Sequence, residues 1–147
     1  MQGASNNLHD RIGGSPAVRS LVDRFYDIME RSEPALAALH EQDSNRKISR
    51  AARDRFALFL IGWLGGPDDY VKLHGHPRLR MRHAHVPIDD AMRDAWLRCM
   101  SAAMEEHGVS GDLRALLDRR FAEIADSLRN VRREGGASLP IFREKAT

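Results

Sequence analysis

Residues 75–83 read Gly75-His76-Pro77-Arg78-Leu79-Arg80-Met81-Arg82-His83. Glycine and proline punctuate the stretch, three arginines alternate through it, and a histidine closes it. It sits in a segment, Asp68 to Pro87, where apolar periodicity breaks down and where four of the seven histidines fall: His74, His76, His83 and His85. On both sides the pattern is helical.

Upstream, Ser15-Pro16 predicts a helix start, with serine as cap and proline in the first turn. Val18, Leu21, Val22, Phe25, Ile28 and Met29 then follow the three-and-four spacing of one buried face, with Tyr26 on its border. Ser32-Glu33-Pro34 ends this helix or starts a short one through Leu39, and Asp43 to Ser49 reads as a polar loop or a first helical turn. Ala52, Phe56, Phe59, Leu60 and Trp63 form a second stripe, stopped by Gly65-Gly66-Pro67. Downstream, Asp89 is the expected cap of a helix carrying Met92, Trp96, Cys99, Met100 and Ala103 inward and ending at Gly108. Asp112 opens the last helix, with Leu113, Leu116, Leu117, Phe121, Ile124 and Leu128 inward, and Glu134-Gly135-Gly136 closes the domain. Strand alternation and tandem repeats are missing. The class is all-α, with four main helices and two or three short pieces.

Composition narrows the function. At 147 residues, 42% hydrophobic and 30% charged, the chain fits one globular domain. The longest apolar run, Phe56 to Leu64, is too short to span a membrane. The first residues lack a basic start followed by an apolar stretch, and the single Cys99 excludes a disulfide framework or multi-cysteine metal site. A cytoplasmic protein is expected. Twenty arginines, three lysines and 21 acidic residues leave a net charge of only +2, which argues against nucleic acid as a partner. The basic stretch Arg46 to Arg55 is denser than its surroundings, and a docking site for an electron donor is one reading of it.

No phosphate-binding glycine loop or serine elbow is present, and Cys99 sits mid-stripe as a buried, inert thiol would. The histidines admit three readings. They are solvated loop residues, or ligands of a zinc or non-haem iron site, or one of them holds a haem iron. Against the second, His-x-His on a helix points its rings roughly 200° apart, and no HExxH pattern accompanies them. The third needs one neutral histidine near a helix end, cations for two propionates and an aromatic helix opposite. His83 after Arg78, Arg80 and Arg82 supplies the first two, and Ala52, Phe56 and Phe59 the last.

More specific strings add to this. Phe25-Tyr26, Gly65-Gly66-Pro67, the 75–83 stretch and Asp94-Ala95-Trp96-Leu97-Arg98-Cys99-Met100 occur in this order, behind the paired Gly13-Gly14. Over about residues 8 to 130 the chain resembles the group II truncated haemoglobins.

That resemblance implies a two-over-two helical sandwich enclosing haem b (iron protoporphyrin IX), with a domain at 8–133, an extension at 1–7 and a tail at 134–147. His83 matches the proximal iron ligand. Tyr26 and Trp96 match the distal donors, and His40 falls where relatives carry tyrosine, phenylalanine or histidine. Ala52 takes the place of the distal histidine of conventional globins. Phe56 and Phe59 would wall the haem, while Tyr70, Arg78 and Arg82 are candidates for the propionates. His85-Val86 departs from the Pro-Phe that often follows the proximal histidine. The implied ligands are O2, then NO, CO, sulfide or peroxide. Oxygen transport is the general label for such proteins, yet several distal donors favour scavenging, redox chemistry or sensing. The alternative is a haem enzyme with peroxidase-like or nitric-oxide dioxygenase activity. It would need a separate reductase, because the chain has no flavin or nicotinamide motif. Oligomeric state stays open, a homodimer included.

Overall fold

The computed structural model describes residues 7–84 and 86–130, without the side chains of Arg80 and Arg82. Its helices, in chain order, are α1 (Leu8–Ile12), α2 (Gly14–Ser32), α3 (Pro34–Ala37), α4 (Arg50–Trp63), α5 (Asp69–His74), α6 (Leu79–Arg82), α7 (Asp90–His107) and α8 (Gly111–Leu128). Among the described residues the only strand-like feature is one antiparallel bridge between Gln42 and Ile48. The all-α class is as expected, with four short helices beside the four long ones. Two of the short ones, α5 and α6, lie in the segment without periodicity, where four to six residues are too few to show a repeat.

The helix faces are those the stripes predict. Val18, Leu21, Val22, Phe25 and Met29 of α2 are fully buried, as are Met100 and Ala103 of α7 and Leu117 and Phe121 of α8 at 1% exposure or less. Burying each large apolar side chain stabilises the fold by about 1.5–3 kcal/mol. Helix α2 packs most extensively on α7 and next on α4, while α7 packs on α8. Two helices thus lie over two.

The helix starts need two corrections. Ser15 does not cap α2; Gly13 does, at φ +118°, a left-handed conformation that glycine adopts without penalty. The Ser15 hydroxyl instead meets His9 Nε2 at 2.8 Å. Helix α8 begins at Gly111 rather than Asp112, so Asp112 sits in the first turn, where its charge suits the helix dipole. The segment before α4 is a loop, and Ser49 caps the helix by accepting the Ala52 N–H at 3.0 Å. Asp89 caps α7 as expected, through the Met92 N–H at 2.9 Å. Glu134-Gly135-Gly136 and the tail lie outside the described residues.

His9, silent in the sequence, explains Gly66. A Cβ on Gly66 would come within 2.5 Å of the His9 ring. The glycine lets α1 lie across the end of α4, where the His9 N–H donates to the Leu64 carbonyl at 2.9 Å.

The basic stretch also finds its place. Arg53 is buried at 8% exposure between α2 and α4. Its guanidinium donates to Asp27 at 2.9 Å, to Glu30 at 3.0 Å and to the Ile48 carbonyl at 3.1 Å. Burial works against its charge, but Asp27, Glu30 and Asp23 outweigh that and raise its pKa above the ordinary arginine value. Glu30 accepts the Ile48 N–H as well, at 2.6 Å, so the same network fixes the loop before α4. Arg50 pairs with Asp23 and Asp54, Arg55 with Glu41 and Lys47 with Glu30. These cations are drawn into the fold's own ion pairs. Removing Arg53 would strand Glu30, whereas exposed pairs contribute little. Arg53→Ala is therefore expected to cost about 3 kcal/mol and Arg50→Ala less than about 1 kcal/mol. Urea midpoints at an unchanged slope check both.

Candidate functional site

An aromatic cluster occupies the space between α2, α4 and α7. Tyr26 lies 5.8 Å from Phe56 and 5.4 Å from His40, centroid to centroid, and Phe56 lies 6.3 Å from Trp96. Phe25, on the core face of α2, backs the group through edge contact with Trp96 at 5.2 Å. Phe59 stacks on Phe56 and meets Tyr70 edge-on at 5.9 Å, which carries the cluster onto α5. Tilted and T-shaped pairs of this kind add about 0.5–1.5 kcal/mol each beyond burial. Ala52, one turn before Phe56, is buried with its small side chain.

Tyr26 is 5% exposed, yet its hydroxyl has no hydrogen-bond partner among the described residues. Buried hydroxyls almost always have one. Burial pushes its pKa above the ordinary tyrosine value, against the lowering charges of Arg55 and Arg53. The Arg53 guanidinium lies 5.7 Å from the centroid of the Tyr26 ring. Trp96 is half-buried, and its indole N–H is likewise without a partner among the described residues.

The two histidines use their rings alike. His83 follows α6 directly, and its Nδ1 lies 2.7 Å from the Leu79 carbonyl. A carbonyl can only accept, so Nδ1 is the donor and the neutral ring carries its lone pair on Nε2. His40 Nδ1 donates to the Leu36 carbonyl at 3.0 Å, four residues back, and again frees Nε2. Burial foremost lowers the His40 pKa; the bond to Leu36 opposes this, and the charge of nearby His83 adds to the lowering. Held neutral, His40 offers an acceptor nitrogen rather than a further N–H.

Tyr26, His40, Ala52, Phe56, Phe59, Tyr70 and Trp96 therefore come together from α2, α4, α5, α7 and the turn after α3, with His83 near enough for its charge to act on His40. Arg78 does not join them; it is exposed, at φ +45°, and its backbone N–H donates to His76 Nδ1 at 3.1 Å. Arg82 ends α6, but its side chain lies outside the described residues, as does His85. No three His, Cys, Asp or Glu side chains converge as a metal site would require among the described residues. Two surface grooves, about 620 Å³ beside Arg98 and Arg114 and about 430 Å³ beside Asp27 and Arg53, are separate from this cluster.

The model of the bacterial-like globin family matches residues 7–130. The chain belongs to that family. This globin is 38% identical over 119 residues to the group 2 truncated hemoglobin YjbI of Bacillus subtilis, covering 81% of this chain and 86% of the relative. It superimposes on the group II 2-on-2 hemoglobin of Agrobacterium tumefaciens at 36% identity and TM-score 0.79, covering 88% of this chain and 98% of the other. A structure described as truncated oxygen-avid haemoglobin from Bacillus subtilis matches at 35% identity and TM-score 0.76, covering 85% and 100%. The two-over-two fold is thereby shown, and membership implies a haem cofactor and small-ligand binding.

Two residues beside this site escaped the sequence reading. Arg53 looked like one cation among many, and Asn130, which bonds to the His83 carbonyl, followed the last stripe unremarked. Only its place beside the buried Ala52 on the α4 stripe marked the first, since its partners Asp27 and Glu30 lie on another helix.

A pH dependence follows from His40. Folding lowers its pKa, so the unfolded chain binds that proton more readily. Its share of stability is full above the unfolded value of 6.5 and is lost as pH falls below it. His40→Phe is expected to flatten the drop in urea midpoint between about pH 7 and 5. Equal drops in variant and wild type would contradict the assignment.

Proposed function

We propose that this globin holds haem b through His83 Nε2 and binds dioxygen and other small ligands beside Tyr26 and Trp96. Two unused groups support the reading most directly: the free Nε2 of His83, and the buried Tyr26 hydroxyl that has no partner among the described residues. A buried polar group left unpaired costs about 1–3 kcal/mol, which a polar ligand in the cluster would recover.

Haem, when bound, would supply an iron that takes a histidine nitrogen and a small diatomic ligand. The bond from His83 Nδ1 to the Leu79 carbonyl selects the tautomer, directs the ring and makes Nε2 a stronger ligand. Phe56 and Phe59 would exclude water from the haem face. Tyr70, Arg78 and Arg82 would take the propionates, Arg78 by a change of side-chain rotamer from its exposed position. On the ligand side, Tyr26 O–H and Trp96 N–H are fixed donors for a ligand that carries partial negative charge. His40 would act as an acceptor rather than as a third donor. Its ring stands edge-on to that of Tyr26, and its Nε2 lone pair would draw the tyrosine hydroxyl toward it.

A hydrogen bond to a charged partner contributes roughly 1.5–3 kcal/mol, so two such donors slow release by about a hundredfold or more. Slow release suits scavenging, redox chemistry or sensing better than bulk oxygen transport. The oxygen-avid relative points the same way. A cytoplasmic location belongs to the proposal: Cys99, the one cysteine, is buried with its thiol pushed up to about 11 by burial, and no described helix is long and apolar enough to cross a membrane.

The haem-supplied protein is expected to show a strong Soret band that shifts on reduction and on adding carbon monoxide. His83→Ala should lose it. Tyr26→Phe should release dioxygen roughly ten- to a hundredfold faster, measured by stopped flow. Unchanged release would remove Tyr26 from the site.

A further inference from the structure

Asn130 is a buried amide, at 4% exposure. It stands two residues past the end of α8, where Arg129 leaves the helix in an extended conformation and turns the chain toward the segment after α6. Its amide donates through Nδ2 to the Val86 carbonyl at 2.9 Å and to the His83 carbonyl at 3.2 Å. Its Oδ1 accepts the Ile88 N–H at 2.9 Å. Its backbone N–H donates to the Ile88 carbonyl at 2.9 Å. With two carbonyls on one side and an N–H on the other, the amide can face only one way.

Both amide N–H groups and the amide oxygen of this side chain are therefore bonded to one short segment, and that segment begins with His83. The His83 carbonyl also receives the Val86 N–H at 3.0 Å, which closes the turn. Nearby, Arg129 pairs with Asp90 at 2.7 Å and Arg93 with Asp126 at 2.8 Å, tying the end of α8 to the start of α7. The His83 ring is thus held from Leu79 within its own turn, while its backbone is held from the far end of the fold. The first contact directs the ring about its own bonds; only the second sets where the residue stands relative to α7 and α8.

We propose that Asn130 is a positioning residue for the proximal side: it fixes the backbone of His83 so that Nε2 meets the iron at a set distance and angle. The inference rests on the reading of His83 as the iron ligand. A side chain that orients a metal ligand through a hydrogen bond typically changes metal affinity by about ten- to a hundredfold when removed.

Asn130→Leu removes all three side-chain bonds. Asn130→Asp is more selective, because it can still accept from Ile88 but sets an oxygen against the His83 and Val86 carbonyls. Arg114→Met serves as a structural control. It deletes a similarly well-bonded side chain, held by Ser101, Glu105 and Asp118 at the start of α8, far from His83 in the chain. The full-length, haem-loaded proteins are compared by the rate of haem transfer to excess apomyoglobin, by the iron–histidine stretching band of the ferrous form, and by thermal midpoint. Both Asn130 variants are expected to lose haem about ten- to a hundredfold faster and to shift or broaden the iron–histidine band, which Arg114→Met leaves in place. If Asn130→Leu does not fold, Asn130→Asp carries the same comparison. Asn130 variants with the wild-type band, or with haem loss no faster than an equally destabilised Arg114→Met, overturn the proposal and leave the haem reading intact. A wild type that takes up no haem overturns both.

Discussion

A guanidinium in the protein interior has to be surrounded by acceptors, and the α2–α4 side of this fold is arranged to provide them for Arg53. Asp27 and Glu30 lie on successive turns of α2, so both reach the same point on α4. The Ile48 carbonyl comes from the loop between them. Satisfying one charge therefore sets the register of α2 against α4 and the course of residues 41–49 together. Tyr26 sits on the same stretch of α2, with its ring against the guanidinium. Its ring is packed among the rings of Phe25, Phe56 and His40, and its hydroxyl has no hydrogen-bond partner among the described residues.

The histidines show the same economy. Each gives its Nδ1–H to the carbonyl four residues earlier, which also accepts a backbone N–H: His83's own for Leu79, at 3.1 Å, and that of Leu39 for Leu36, at 3.1 Å. The carbonyl's second lone pair is used, and the Nε2 lone pair is left for another partner. For His83 that nitrogen suits a metal. For His40 the consequence is an acceptor beside Tyr26, so the chemistry of the pocket depends on a backbone bond invisible in residue identity.

Much of the fold was legible because long amphipathic helices repeat their apolar residues many times, and the repeat survives single exceptions. Val18 to Met29 and Leu113 to Phe121 are inward as read. Failures occurred where the deciding partner is distant in sequence. Ser15 has the chemistry of a cap, but Gly13 already turns the chain left-handed and His9 takes the hydroxyl. Arg46 to Arg55 reads as a basic surface, yet its acidic counterparts lie on α2 and in the preceding loop. Asn130 reads as an ordinary residue after a helix, and nothing local shows the three groups that its amide meets.

By itself, the sequence determined the helical class, the inward faces and, through the spacing of Tyr26, the 75–83 stretch and Trp96, the family. These depend on local periodicity and on motifs contiguous in the chain. The tertiary structure alone decided which hydrogen-bonding capacity is spent and which remains: the open Tyr26 hydroxyl, the tautomers of His40 and His83, and the ties made by Arg53 and Asn130. A residue's type states what it can bond to. Only packing, which removes water and brings residues 83 and 130 or 27 and 53 within 3.5 Å, settles what it does bond to.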